Sequence, residues 1–261
     1  MHKLFDIEGK NAVVVGGAGG IGQSLAQGLV EAGVNVIISS RSEEKLQKAV
    51  DEIKAATGLD NVSYIAADAT DEASVQALVE KSVAQLGKVD ILVCAQGLNK
   101  KFPAEEFPMD IYRSIFECNV IGIMLCCKSF AKHMFDNGWG KIVILSSTRD
   151  CVATKGAGNA GYAASKGAVK MLIKQLASEF GPHGITVNGI GPTVTETPMM
   201  TAVIEQRGGD AYRKALADDL PMRRMAVPSD CVGTCLFLAA PASDFVTGEV
   251  IYPDGGLTAV R

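Results

Sequence analysis

"NAVVVGGAGGIGQSLAQGLVEAG", residues 11–33, is the unit from which the fold follows. "NAVVVGG" is an unbroken apolar run and reads as a strand buried on both faces; "QSLAQGLVEAG" is an amphipathic helical run. Gly16, Gly20 and Gly22 stand between them. Glycines in such a turn reach positive φ and let the backbone approach a pyrophosphate. The N–H groups and dipole of the helix N-terminus then supply an anion site. The spacing is Gly-x-x-x-Gly-x-Gly rather than Gly-x-Gly-x-x-Gly, and there is no Gly-Lys-Ser/Thr of a nucleoside-triphosphate loop. A glycine cluster alone is only a flexible turn; one that follows an apolar strand and opens a helix predicts a dinucleotide site.

The same alternation continues outward from this unit. "NVIISSR", "NVSYIAAD", "VDILVCAQG", "GKIVILSS", "ITVNGIGP" and "EVIYPDGG" read as strands. Between them lie the helical runs "SEEKLQKAVDEIKAATG", "DEASVQALVEKSVAQLG", "IYRSIFECNVIGIMLCCKSFAKHMF", "AASKGAVKMLIKQLASEFG" and "SDCVGTCLFLAA". Ser42 is placed to cap the first of these, with Glu43 and Glu44 in its first turn. Near-continuous apolar strands alternating with helices predict an α/β fold: one doubly wound parallel sheet of Rossmann type, with helices on both faces. No linker, repeat or low-complexity stretch divides residues 1–261, so one domain is expected. The longest irregular stretches, 96–110, 148–161 and 192–220, follow strands, at the carboxyl edge where such sheets bind ligands. Residues 193–220 suit either a lid over the substrate or a surface helix pair.

Composition narrows the function. The chain of 261 residues is 48% hydrophobic and 21% charged, enough for a sizeable core, and its net charge of -4 argues against a nucleic-acid partner. No apolar run is read as long enough to cross a membrane, and the N-terminus lacks the apolar core of a signal peptide. The seven cysteines show no Cys-x-x-Cys pair and the three histidines are scattered, so no metal site is expected. Free thiols in a reducing cytoplasm are the simpler account.

The end of the second strand bears on the cofactor. An acid there would accept from the ribose hydroxyls of NAD. This chain has Ser40, which leaves room, followed by Arg41, whose guanidinium suits a 2′-phosphate. NADP(H) is therefore expected over NAD(H), unless Arg41 is merely a solvated residue at a helix start. Asp68, ending the third strand, suits an adenine amino group or a helix cap. In "GNAGYAASKG", residues 158–167, Tyr162 and Lys166 are one turn apart on one helix face. Alone, that spacing fits an ordinary surface helix as well as a proton-transfer pair.

Taken together, the glycine turn, "DILVCAQG", Asn119 in "ECNVIG", "ILSS", "YAASK", "VNGIGPTVTET" and "VTGEVIYPDGG" resemble the short-chain dehydrogenase/reductase family from about residue 7 to 258. Their order and spacing carry the resemblance more than any one motif. It implies hydride transfer between a nicotinamide cofactor and a secondary alcohol or ketone. Its four catalytic positions map to Asn119, Ser147, Tyr162 and Lys166, with Ser147 taken over Ser146 as the second of the pair. Tyr162 would be the acid/base, and the Lys166 ammonium would lower its pKa and hold the nicotinamide ribose. Ser147 would stabilise the substrate oxygen, and Asn119 would hold a water linking Lys166 to solvent. The resemblance also implies cofactor contacts from Ile21, Ala69, Ala95, Gly97, Pro192, Val194 and Thr197.

The chain departs from the family pattern at Val15, where threonine is usual, and at Cys94, Ala95 and Gln96, where Asn-Asn-Ala is usual. It also has "GPT" for Pro-Gly and a longer gap between Ser147 and Tyr162. Within the family, "YAASKGAVKMLIKQLASEFGPHGITVNGIGPT" and "GLNKKFP" are most similar to sugar-acid and polyol dehydrogenases of the gluconate 5-dehydrogenase kind. Asn99, Lys100 and Lys101 after the fourth strand, with Arg149 and Lys155 after Ser147, would give a cationic rim suited to a hydroxylated anion. Solvated loop charges are the alternative. A reductase of acyl thioesters or other apolar ketones, and a non-catalytic dinucleotide-binding protein, remain open as other readings. The family resemblance implies a homotetramer, or a homodimer. On the helix after Tyr162, one stripe (Ala168, Leu172, Leu176, Phe180) and its neighbour (Val169, Ile173) would divide between sheet and partner.

Overall fold

Strand β1 (Asn11–Val15) is buried along its whole length, which is why its sequence shows no polar alternation. The computed structural model describes residues 2–156 and 158–260; the expected loop residue Ala157 and the two chain ends, Met1 and Arg261, lie outside them. Six strands join β1 in one parallel sheet: β2 (Asn35–Ser40), β3 (Val62–Ala66), β4 (Ile91–Cys94), β5 (Gly140–Leu145), β6 (Ile185–Ile190) and β7 (Val250–Ile251). The order β3-β2-β1-β4-β5-β6-β7 reverses direction between β1 and β4, which opens a crevice at their carboxyl ends.

Side chains alternate between two cores. Val14 faces α1 (Gly20–Glu31), α2 (Glu43–Thr57) and α9 (Val232–Ala239) through Leu25, Leu46 and Leu238. Val13 and Val15 face α3 (Glu72–Leu86), α5 (Gly122–Phe135) and α6 (Ala160–Phe180) through Leu78, Phe130 and Ile173. Ser42 caps α2 as expected, accepting from Lys45 N, and Gly58 ends it in the left-handed conformation. The cap of α3 is Asp71, not Asp68, which frees Asp68 from that alternative.

Three expectations change. The run read as one helix over 111–135 is α4 (Met109–Phe116), a π-helical turn (Glu117–Ile121) and α5. These join without a break, so Met109–Phe135 is long and apolar enough, by length and composition, to cross a membrane, contrary to the sequence reading. Half of its apolar window is buried, with Cys126, Cys127, Phe130 and Met134 packed on the sheet. On α6, Leu176 and Phe180 join Val169 and Ile173 against the sheet, because the helix turns 100° per residue and the proposed stripes drift around it. Met171 is left 60% exposed on the outer face. The segment 193–220 holds two helices, α7 (Pro198–Gln206) and α8 (Asp210–Asp218).

Candidate active site

The glycine turn is shaped by close approach. Gly16 has φ +83°, and a Cβ there would lie 2.5 Å from Gln96 N. A Cβ at Gly22 would lie 2.2 Å from the Gly16 carbonyl oxygen. Helix α1 can thus begin tightly against the ends of β1 and β4, with Gly20, Ile21 and Gly22 forming its first turn. Thr197, at the root of α7, stands over this turn: its Cγ2 is 3.5 Å from where a Cβ on Gly20 would be. Its hydroxyl caps α7 by accepting from Met200 N.

A cleft of about 540 Å³ runs from this turn across the sheet edge. Gly16, Ser40, Arg41, Asp68, Ala69, Ala95 and Gly97, all named above as candidate cofactor contacts, line it. Ser40 keeps its hydroxyl buried with no protein partner. Hydrogen bonds from Thr70, and secondarily the charge of Arg41, hold the Asp68 carboxyl below its usual range. A small residue and a guanidinium at the end of β2, facing a glycine-lined wall, fit a phosphorylated ribose. Ser114, Glu117 and Cys118 also line this cleft. Spaced three and four residues apart, they share one helix face, and the apolar run over 111–135 carries no marker of which face meets the cleft. The departure at "CAQG" is accommodated locally: Gln96 Nε2 reaches Cys126 Sγ at 3.9 Å, while its Oε1 is buried without a partner.

Asn119, Ser147, Tyr162 and Lys166 converge beyond the cleft. Asn119, 0% exposed in the π turn, accepts from Leu98 N at 2.7 Å and donates to Leu98 O at 2.9 Å and Ser165 Oγ at 3.0 Å. It therefore clamps the loop after β4. A Cβ on Gly97 would be 3.8 Å from Asn119 Oδ1 and 4.0 Å from Lys166 Nζ, so the bare glycine leaves space where both atoms meet. Lys166 Nζ donates to Leu145 O at 2.6 Å and lies 5.6 Å from the Tyr162 ring centre. Burial drives the Lys166 pKa down to about 8. Burial pushes the Tyr162 phenol up, while the Ser147 hydroxyl beside it and the charge of Arg149 pull it back. Ser147 Oγ accepts from Arg149 N at 3.2 Å and lies 3.5 Å from Pro192 O. Pro192 O also accepts from Thr148 N at 3.0 Å, which ties the root of 193–220 to the turn after β5, and Val194 O accepts from Ala226 N at 3.2 Å, which ties it to the chain beyond Pro221.

The loops after β4 and β5 are joined by Phe102 N donating to Gly158 O at 3.1 Å. Lys100, Lys101 and Lys155 are exposed on them, and the Asn99 Oδ1 atom is buried without a partner. Arg149 is half-buried, and its guanidinium donates to Val152 O at 3.1 Å and Ala153 O at 3.2 Å, so it braces its own loop. Among the described residues no group of three or more His, Cys, Asp or Glu is arranged to hold a metal.

A family model described as enoyl-(acyl carrier protein) reductase matches residues 16–258. The chain is 32% identical to 5-keto-D-gluconate 5-reductase of Escherichia coli (strain K12) over 264 residues, covering 98% of each chain. It is 34% identical to gluconate 5-dehydrogenase of Gluconobacter oxydans (strain 621H), over 98% of this chain and 97% of that one. It superimposes with a TM-score of 0.90 on the crystal structure of a gluconate 5-dehydrogenase from Burkholderia cenocepacia J2315 in complex with NADP and tartrate, at 32% identity and 98% coverage of both chains. The chain belongs to the short-chain dehydrogenase/reductase family and is a nicotinamide-dependent oxidoreductase.

Proposed function

We propose that this protein interconverts a secondary alcohol and a ketone on a small, polar, anionic substrate of the sugar-acid class, with NADP(H) favoured over NAD(H). The meeting of Tyr162, Lys166, Ser147 and Asn119 beside the Ser40–Arg41 cleft carries the reading. When bound, the cofactor supplies or takes the hydride. Ser147 and Tyr162 hold the substrate oxygen between two hydroxyls. In reduction the Tyr162 hydroxyl gives its proton to the developing alkoxide, and in oxidation the phenolate takes it back. Lys166, with a pKa of about 8, is mostly a cation near neutrality and favours the phenolate that burial opposes. Asn119, beside Gly97 and Lys166, holds a water that links Lys166 to solvent for proton exchange.

Gly16, Gly20, Ile21 and Gly22 hold the pyrophosphate, Ser40 and Arg41 the 2′-phosphate, and Asp68 and Ala69 the adenine. Ala95, Gly97, Pro192, Val194 and Thr197 border the nicotinamide half. Asn99 and Lys101 contact the substrate, and Arg149 shapes the loop around it. The names and NADP complex of the relatives support the substrate class and cofactor. Residues 1–261 act as one domain, with 193–220 as the lid, in the cytoplasm, where the seven free cysteines stay reduced. Exposed Met171 on α6 supports a homotetramer or homodimer built on that face.

Turnover across a panel of sugar acids, neutral polyols and acyl thioesters, with both cofactors, tests the reading. The expected result is NADP-linked activity on a sugar acid that Tyr162→Phe abolishes while cofactor binding persists. Preference for an acyl thioester, or full activity in Tyr162→Phe, would overturn it.

A further inference from the structure

Asp150 lies three residues beyond Ser147 on the turn that carries the proposed catalytic hydroxyl, and its side chain is 0% exposed. A carboxylate enclosed this way is costly unless it is paired. It is held from three elements. Ser146 Oγ, at the end of β5, donates to Oδ2 at 2.6 Å. Tyr252 Oη, just past β7, donates to Oδ1 at 2.7 Å. Lys170 Nζ, on α6, donates to Tyr252 Oη at 2.9 Å and stands 3.6 Å from Oδ1. The Asp150 backbone N–H closes the turn onto Ser147 O at 3.0 Å. Tyr252 reaches this place because its ring packs against Gly191, where a Cβ would lie 2.4 Å from the ring. Tyr162, Lys166 and Lys170 therefore form one row along α6, with Asp150 beside it.

We propose that Asp150, anchored by Tyr252 and Lys170, is a positioning residue for proton transfer: its buried carboxylate fixes the turn that presents Ser147 and sets an anion beside the row of Tyr162 and Lys166 on α6. This rests on the proton-transfer roles assigned above. Asp150 faces Ser146, Lys170, Tyr252 and, on its own turn, Cys151. Tyr162 faces Ser147, Arg149 and Lys166 as well as Asp150, and Lys166 also feels Cys118. The Arg149 charge acts against that of Asp150 at Tyr162. An anion at this position favours the protonated form of Tyr162 and of Lys166, so the sign is the same whichever group governs the pH profile. Burial and the neighbouring carboxylate push the Tyr252 phenol far up, so it stays a donor.

The test compares the wild-type chain with Asp150→Asn and Lys170→Met. The pH dependence of gluconate oxidation with NADP is measured for each. In parallel, tyrosinate absorbance is read as the difference between each protein and its Tyr162→Phe counterpart, so the result does not depend on gluconate being turned over. Asp150→Asn is expected to move the midpoint down by about half a unit to one unit and to lower kcat roughly tenfold to a hundredfold. Lys170→Met keeps the carboxylate and removes its cation, so its midpoint moves up; this partly exposed position keeps the test open should Asp150→Asn fail to fold. Midpoints that coincide with wild type in the folded variants would overturn the proposal. Wild-type turnover in Tyr162→Phe alone would instead overturn the reading of the site.

Discussion

Lys166 lies one helical turn beyond Tyr162, its Nζ 5.6 Å from the tyrosine ring centre, and the same ammonium donates a 2.6 Å hydrogen bond to the Leu145 carbonyl at the end of β5. The main chain of β5 thus aims a buried cation at the phenol. Replacing Lys166 with Met removes the cation that opposes the cost of burying the phenolate, so kcat is expected to fall by roughly 10²–10⁴-fold. Residual oxidation moves to higher pH. A pH–rate profile with its acid limb unchanged would contradict this.

Stability should respond in the opposite sense. In the cofactor-free protein the Lys166 pKa is about 8, against 10.5 for an ordinary lysine. Between those values the unfolded chain binds more protons than the folded one, so the Lys166 contribution to stability rises with pH. Below pH 8 the folded state carries the cost of a buried ammonium. Lys166→Met is therefore expected to melt a few degrees higher than wild type at about pH 7, with the gap closing between about pH 8 and 10. Tyr162, whose pKa is raised, opposes this trend only above its ordinary value of 10. Calorimetry across that range checks the sign.

Arg41 separates the two cofactors. Removing a guanidinium that meets a phosphate forfeits charge-assisted hydrogen bonds, so Arg41→Ala should raise the KM for NADP by about ten- to a hundredfold. The KM for NAD should stay within a factor of about two or three, since that cofactor presents no 2′-phosphate to Arg41. Parallel Michaelis curves with both cofactors measure the split, and an equal rise in the two would contradict it.

Gly22 and Gly19 distinguish packing from cofactor access. A methyl on Gly22 would lie 2.2 Å from Gly16 O, so Gly22→Ala should lose about 1–3 kcal/mol by overpacking. Gly19 has an extended φ of 165°, a place in the cleft wall, and open space extending 4 Å around the position a methyl would take. Gly19→Ala should therefore melt like wild type yet bind NADP more weakly. Thermal midpoints paired with cofactor titration resolve the two.

Lys101 and Arg149 should part company in kinetics. Lys101 is exposed, so Lys101→Ala is expected to raise KM a few-fold for a sugar acid and leave a neutral polyol unaffected, with the difference fading at high salt. Arg149 braces its loop through Val152 O and Ala153 O, so Arg149→Ala should impair both substrates. Steady-state kinetics on a charged and neutral pair checks this.

The strand–turn–helix of residues 11–33 was readable because both of its signals are local: an apolar run and glycines at a helix start. The cap at Ser42 was equally local. Glu117 and Cys118 were not readable as cleft residues, because nothing in the composition of the run 111–135 marks which of its sides meets the strand ends. The division of α6 into two stripes failed at Leu176 and Phe180 for a related reason: over 21 residues the angular drift of the helix decides which side chains meet the sheet.

By itself the sequence determined the alternation of strands and helices, the glycine turn, the Ser40–Arg41 step and the one-turn spacing of Tyr162 and Lys166, because each depends on neighbours a few residues away. Tertiary structure alone decided that Ser147 sits beside Tyr162, that Asn119 clamps Leu98, that Arg149 braces its own loop, and that Asp150 is enclosed by Lys170 and Tyr252. Those relations join residues up to 102 positions apart. They arise only when parallel crossovers bring the carboxyl ends of β4, β5, β6 and β7 to one edge.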